Sequence, residues 1–272
     1  MRDPIPPPTM LVQLTQPLAD KLDLKTMPYH VHEILIGFLA YHFILYGLSP
    51  AVSKLVCPKT YAGFNKRTRL NWDIHWVSMI QALFINGAAL YVIFSDPERK
   101  EMDWKGRLWG YTPASGMKPF GNYYGLSFIL YELSTPFLNV HWFCDKLGFT
   151  GSKLQLYNGI ALLFTFFACR VVWGSYQSLM IYSDIYKAVT TPASQLTALL
   201  TDDDVCGRNV SGRAYGGPVS CEITELPMWL VSIYLAGNTA LSFLNIYWFS
   251  QMVKAVRKRF VPVGEAKAKK SQ

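Results

Sequence analysis

Long apolar stretches alternate with short polar and charged stretches along the whole chain. Crossing ~30 Å of hydrocarbon takes about 20 helical residues, so stretches of this length are typical of transmembrane helices. Helices are expected rather than strands, because the runs lack the period-two alternation of a membrane barrel. The pattern predicts an all-α, polytopic transmembrane helix bundle of about five spans. These spans are Val31–Val56, Trp72–Phe94, Phe120–Phe143, Leu154–Tyr182 and Pro227–Val253.

The composition agrees with a membrane protein and argues against a nucleic-acid-binding one. Apolar residues make up 51% of the 272 residues and charged residues only 16%. The formal net charge of +8 comes from basic residues in loops that flank the spans, as expected of cytosolic loops. We therefore expect membrane lipids, and not nucleic acid, as partners. No Gly-rich phosphate-binding loop and no Cys/His cluster is visible in the sequence, so no cofactor and no metal is expected.

The distribution of Lys and Arg predicts the orientation of the spans. The loop after the first span and the segment after the last are both basic, and the first of these has no acidic residue. Five spans with an external N-terminus would place both segments in the cytosol. The chain is then divided into an N-terminal leader (1–30), a transmembrane domain (31–260) with a lumenal loop (183–226), and a cytosolic tail (261–272).

Two short motifs fit this topology. The lumenal loop holds a glycosylation sequon at Asn209 and two cysteines, Cys206 and Cys221, for which a disulfide is predicted. A chance sequon with two unpaired thiols is the alternative. In the final "KKSQ", Lys269 and Lys270 resemble the dilysine signal by which coat proteins return membrane proteins to the endoplasmic reticulum, although a solvated basic tail would look the same. We therefore expect a multi-pass endoplasmic-reticulum glycoprotein with a cytosolic C-terminus.

The third predicted span contains polar residues that are costly in hydrocarbon. Glu132, Thr135 and Asn139 are spaced i, i+3 and i+7, which puts them on one helix face. Pro136 is expected to kink the helix there. Because a central charge costs ~2.5–3.5 kcal/mol on insertion scales, we expect Glu132 to pair with Arg170 of the fourth span. In the alternative arrangement Glu132 is hydrated near the interface and Arg170 extends toward the headgroups.

The same segments resemble a known family. The stretches "ELSTPFLNVHWF", "YNGIALLFTFFACR" and "RTRLNWDIHWVSMIQALF" are similar to the TLC-domain family, the membrane superfamily that includes the ceramide synthases. "MDWKGRLWGYTPASGM" resembles a fungal branch of that family. The resemblance covers roughly Val31 to Phe260 and implies about seven helices around a cavity open to lipid. Some members transfer acyl chains from acyl-CoA to sphingoid amines, and others affect membrane lipid composition.

Two departures from the family pattern argue against catalysis. The ceramide synthases use adjacent histidines and aspartates, whereas this sequence has no His-His pair and has Gln81 where many relatives have histidine. His75 is left as the remaining catalytic candidate. Relatives also have two further spans where Met117 here runs straight into Lys118, a difference on the order of fifty residues. A splice form or a gene-model error would explain the shorter chain.

The leading interpretation is a TLC-domain membrane protein that binds lipid and acts in lipid homeostasis, sphingolipids included, without catalysis. Glu132, Asn139 and Arg170 are expected to hold the bundle together, and Gln81 to offer a hydrogen bond to a lipid polar group. The full set of polar candidates is Gln81, Glu132, Ser134, Thr135, Asn139 and Arg170. One alternative is an acyltransferase of ceramide-synthase type that uses acyl-CoA and a sphingoid base. The other is an adaptor for secretory cargo or the translocon.

Overall fold

The computed structural model describes residues 6–21, 27–110, 122–192 and 228–260. Within these ranges the ordered elements are all helical, which confirms the predicted all-α class. The predictions made for the lumenal loop and the tail lie outside the described residues; they concern Cys206, Asn209, Cys221, Lys269 and Lys270.

Nine α-helices are assigned in these ranges. They are α1 (Thr9–Lys21), α2 (Val31–Val56), α3 (Pro58–Gly63), α4 (Lys66–Ser95), α5 (Pro97–Glu101), α6 (Asn122–Ile129), α7 (Thr135–Lys146), α8 (Lys153–Thr190) and α9 (Met228–Phe260). Short 3-10 helices cover Met27–Tyr29 and Leu130–Ser134. A π-helix covers Gly106–Gly110, and α2 and α8 each contain a π-helical segment, over Ile44–Leu48 and Phe167–Trp173.

Three of the described helices, α2, α4 and α8, are long and apolar enough to cross a membrane. The described parts of the third and fifth predicted spans are helical as well but are not among these three. The third is divided by the 3-10 helix that precedes Pro136, and the fifth corresponds to α9. Large apolar side chains cover the outer faces of the long helices; Phe84, Phe164 and Phe243 are 75%, 70% and 70% exposed. Soluble proteins rarely expose apolar surface on this scale, whereas a membrane protein requires it.

The chain is divided into two compact units. The first comprises Met1–Leu130 and Leu179–Glu225, and the second comprises Tyr131–Ser178 and Leu226–Gln272. In their described parts, the first unit contains α1 to α6 with the last turns of α8, and the second contains α7, most of α8, and α9.

The start of α4 is set by a capping residue rather than by hydropathy. The Asn65 side-chain oxygen accepts a hydrogen bond from the backbone N–H of Thr68 at 2.8 Å, which satisfies one of the donors left open at a helix N-terminus. The helix therefore begins at Lys66, before the predicted start at Trp72. A membrane-length helix thus extends beyond its apolar stretch.

A buried hydrogen-bond network joins α2, α3 and α4 in the first unit. The Asp73 carboxylate accepts from the Ser49 hydroxyl at 2.6 Å and from the Tyr61 hydroxyl at 3.0 Å. One turn along α2, the Ser53 hydroxyl accepts from the Trp72 indole N–H at 2.8 Å. Burial, together with the Asp73 carboxylate, raises the pKa of Tyr61 to about 12, so this hydroxyl stays protonated and donates at physiological pH.

Asp73→Ala is expected to destabilise the first unit. The substitution removes the shared acceptor and leaves two buried hydroxyls unsatisfied, each at a cost of ~1–3 kcal/mol. Thermal unfolding of the purified protein in detergent measures the effect. Asp20→Ala is the control, because the hydrogen bond that Asp20 accepts from Gln16 is exposed, and it should leave the midpoint nearly unchanged. Equal midpoints for the two variants would contradict the role of the network.

In the second unit, α7 and α8 form a helical hairpin. Gly148 and Gly151 in the connecting turn have φ values of +79° and +83°, the left-handed region that favours glycine. The Asn158 side-chain N–H donates to the Phe137 carbonyl at 2.8 Å, and the Gln155 side chain donates to Asp145 at 2.5 Å. These bonds fix α7 against α8 and so set the position of the polar residues at the start of α7.

Candidate functional site

Arg170 lies within the π-helical segment of α8, over Phe167–Trp173. π-Helical segments are rare in proteins. Those that occur are often found at functional sites. The guanidinium lies over the ring of Phe166, 5.0 Å from its centroid. The backbone of α8 therefore departs from regular geometry where a charged residue enters the apolar helix.

The 3-10 helix before α7 supplies the hydrogen-bond acceptors for Arg170. The Arg170 Nε donates to the Tyr131 carbonyl at 2.9 Å and lies 3.2 Å from the Ser134 hydroxyl oxygen. Pro136 has no N–H to donate and disfavours a regular α-helix through this point. The kink predicted from Pro136 thus coincides with a change of helix type over Leu130–Ser134.

Glu132 lies next to Arg170, but the two form a loose pair. The distance from Arg170 Nη2 to Glu132 Oε1 is 3.8 Å, longer than the ~2.7–2.9 Å of a charge-assisted hydrogen bond. Thr135 Oγ1 donates to the other carboxylate oxygen at 2.5 Å. The Glu132 and Arg170 side chains are 42% and 22% exposed. Both charged groups therefore keep capacity to bind a further polar molecule.

Five of the six polar candidates lie on this part of the second unit. Glu132, Ser134, Thr135 and Arg170 are brought together by the contacts above, and Asn139 is buried one turn further along α7. Gln81 lies on α4 in the first unit, where its side chain is exposed. His75, on the same helix, is half-buried. The buried polar side chains of α4 are instead Asp73 and Asn86.

The first unit contains a buried ion pair that the sequence reasoning missed. The Arg107 guanidinium binds Asp184 through two contacts, Nε to Oδ2 at 2.7 Å and Nη2 to Oδ1 at 2.9 Å. The Tyr124 hydroxyl donates to the same carboxylate. Burial alone would lower the pKa of Arg107, but the hydrogen bonds with Asp184 and Tyr124 raise it above its ordinary value. Asp184 holds the guanidinium through two hydrogen bonds, so we interpret the pair as structural.

These features define a polytopic helical membrane protein with a polar site inside its apolar helices. The chain belongs to the TLC domain family, because the family model for the TLC domain matches residues 111–254, more than half of its length. This confirms the resemblance on which the sequence interpretation rested. No solved structure matches the chain.

Relatives span fungi and a vertebrate. The chain is 28% identical to an uncharacterised TLC domain-containing protein of Schizosaccharomyces pombe, over 93% of this chain and 87% of the relative. It is 22% identical to Topoisomerase I damage affected protein 4 of Saccharomyces cerevisiae, over 88% of each chain. It is 25% identical to TLC domain-containing protein 4-A of Xenopus laevis, over 82% of this chain and 89% of the relative.

The fission yeast relative contains residues that this chain lacks. The alignment runs over 295 positions, more than the 272 residues of this chain, so part of the relative has no counterpart here. The predicted junction at Met117 and Lys118 lies outside the described residues. The loss of two central spans therefore stays a prediction.

Proposed function

We propose that this protein binds a phospholipid in the membrane and acts in membrane lipid homeostasis as a binding protein rather than a catalyst. The observation that carries the proposal is the loosely paired Arg170 and Glu132 within the helical bundle of the second unit. The guanidinium is held by the Tyr131 carbonyl and Ser134, yet its distance of 3.8 Å from the Glu132 carboxylate leaves both ions incompletely paired.

The chemistry of these groups favours binding over acid–base catalysis. An arginine in a protein stays protonated, so Arg170 can bind a phosphate oxygen but cannot act as a general base. Guanidinium and phosphate match in geometry and form strong, charge-assisted hydrogen bonds. The partly exposed Glu132 carboxylate would bind the cationic part of a zwitterionic headgroup. Together the two side chains suit a headgroup that carries both signs of charge.

The proposed location is the endoplasmic-reticulum membrane with the C-terminus in the cytosol. The terminal Lys269 and Lys270 support it because they occupy the two positions of a dilysine retrieval signal. The basic segment after the last predicted span supports the cytosolic side.

Arg170→Gln is expected to reduce the affinity for phosphatidylcholine about ten- to a hundredfold, since hydrogen bonds to a charged group contribute ~1.5–3 kcal/mol. Lipid titration of the detergent-purified protein, followed by native mass spectrometry, measures the affinity. Arg170→Lys keeps the charge but loses the planar fork, so its affinity should lie between those of the wild type and Arg170→Gln.

Arg69→Gln is the matched control, because Arg69 is an exposed arginine that donates to backbone carbonyls of Ala62 and Phe64. It should leave the affinity unchanged. Thermal unfolding of each variant shows whether the protein remains folded. A folded Arg170→Gln variant with wild-type affinity would refute the proposed site.

A further inference from the structure

Two buried amides lie on one face of α9. Asn238 and Asn245 are seven residues apart, a spacing that places them on the same side of the helix. They are 8% and 3% exposed, whereas most neighbouring large side chains of α9 face outward. The Nδ2 atoms of both amides are buried without a hydrogen-bond partner within the described residues.

The amide of Asn238 has an open atom in either orientation. Its Oδ1 lies 3.1 Å from the Ser178 hydroxyl of α8, and that hydroxyl is also 2.8 Å from the Gly174 carbonyl. A serine has one proton, so it can donate fully to only one of the two acceptors. If the proton goes to Gly174, turning the Asn238 amide pairs its N–H with Ser178 and leaves the oxygen open instead. Among the described residues, one polar atom of Asn238 stays unsatisfied in both cases.

The same face of α9 brings Asn245 to the level of Arg170. The two helices run antiparallel, with Asn238 opposite Ser178 and Phe249 against Phe167, whose ring centroids are 5.1 Å apart. Asn245 lies between Asn238 and Phe249 on α9. It must therefore lie opposite the segment of α8 between Phe167 and Ser178, which contains Arg170. Asn245 and Arg170 consequently lie at a similar level along the α8–α9 pair, and Asn238 lies further along it at Ser178.

Leaving a buried polar atom unsatisfied is unfavourable, so several such atoms on facing helices indicate a missing partner. Gln177, which is next to Ser178 and 3% exposed, adds a buried side-chain oxygen that has no hydrogen-bond partner in the part of the chain that the structure describes. Amide N–H groups on Asn238 and Asn245 require acceptors. A bilayer offers such acceptors beside a phosphate headgroup in the carbonyl oxygens that link the acyl chains to the lipid backbone.

We propose that Asn238 and Asn245 form a hydrogen-bonding track that binds the ester carbonyls of a diacyl phospholipid whose headgroup lies at Arg170. This inference rests on the proposed function and extends it, since it assigns the part of the lipid that α9 recognises. The Asn238 amide joins α9 to α8 through Ser178, and the Asn245 amide extends the track toward the charged site. The track distinguishes ester-linked lipids from those with the same headgroup and no carbonyls.

The test compares dioleoyl phosphatidylcholine with its diether analogue, which keeps the headgroup and lacks both carbonyls. The wild-type protein is expected to bind the diester about tenfold more tightly, as two hydrogen bonds of ordinary strength would give. The Asn238→Leu/Asn245→Leu variant should bind the two lipids equally. Without lipid it should be at least as thermally stable as the wild type, because removing an unpaired buried amide removes its desolvation cost. Titrations by native mass spectrometry provide the affinities.

Thr239→Val is the control, since Thr239 is an exposed polar residue of the same helix, and it should keep the tenfold preference. Equal wild-type affinities for the diester and the diether would refute the proposed hydrogen-bonding track and would indicate that water binds the two amides. The proposed headgroup site would not be affected by that result. A preference retained by the double variant would overturn it as well. Binding of neither lipid by the wild type would refute the proposed function itself, and the track with it.

Discussion

Asp184→Ala is expected to destabilise the protein by ~3–5 kcal/mol, the usual cost of removing one partner from a buried ion pair. The Asp184 side chain is 1% exposed and neutralises Arg107, which is 17% exposed. Its removal leaves a guanidinium and the Tyr124 hydroxyl without their carboxylate in a largely dry environment. Thermal unfolding in detergent should show a fall in the midpoint on the order of 10 °C.

A neighbouring ion pair provides the control for this prediction. Lys105 Nζ lies 3.6 Å from an Asp103 carboxylate that is 53% exposed, and such pairs contribute only ~0–1 kcal/mol. Lys105→Ala should therefore have a small effect. The Arg107→Leu/Asp184→Leu variant should recover much of the loss, because replacing both members of a buried pair by apolar residues is often nearly neutral. Equal midpoints for Asp184→Ala and Lys105→Ala would show that the pair does not stabilise the fold.

Apolar length predicted the membrane helices well and their ends less well. The predicted limits of the first span, Val31–Val56, agree with α2. In contrast, α4 begins at Lys66, because Asn65 caps it and the charged first turn is helical despite its polarity. Likewise α8 continues to Thr190, beyond the predicted end at Tyr182. A hydropathy pattern indicates which residues lie in the hydrocarbon, whereas capping and tertiary contacts determine where the helix begins and ends.

Part of the candidate site followed from the cost of charge in an apolar helix. That argument brought Glu132 together with Arg170, which lie 3.8 Å apart. It did not foresee the Tyr131 carbonyl, because backbone acceptors leave no trace in a side-chain pattern. Sequence distance explains why the tighter pair was missed, since 77 residues separate Arg107 from Asp184. Arg107 lies in a predicted loop and Asp184 lies just past the end of a predicted span, so no helical periodicity in the sequence connects the two residues.

The buried amides of α9 did leave a readable signal. Asn238 and Asn245 recur at a spacing of seven within an otherwise apolar stretch, as expected of one buried helix face. Uncharged amides are less costly in hydrocarbon than charges, so a search for charged residues passes over them. The amides indicate a binding site because they are buried against α8, and the sequence does not show this burial. The contact between Ser178 and Asn238 in the structure does.

Gly174→Ala is expected to disrupt the second unit and the lipid site together. A Cβ atom at this position of α8 would clash with the Tyr131 hydroxyl oxygen and would lie 2.7 Å from the ring carbon that bears it. The Tyr131 ring is buried, so it cannot turn outward without moving the 3-10 helix whose carbonyl holds Arg170. Overpacking of this kind costs ~1–3 kcal/mol. Both the thermal midpoint and the affinity for phosphatidylcholine should fall.

Gly237→Ala on α9 is the matched control, because a Cβ there meets no atom within 4 Å. It should be neutral or stabilise the helix by ~0.5–1 kcal/mol, the usual gain of alanine over glycine inside a helix. Adding Tyr131→Phe to Gly174→Ala should recover only part of the loss, since it removes the clashing hydroxyl but keeps the ring carbon at 2.7 Å. Replacing glycine by alanine would thus destabilise the protein at Gly174 on α8 and would not destabilise it at Gly237 on α9. If both alanine variants behaved alike, Tyr131 would not pack against Gly174, and the backbone acceptor assigned to Arg170 would have to be sought elsewhere.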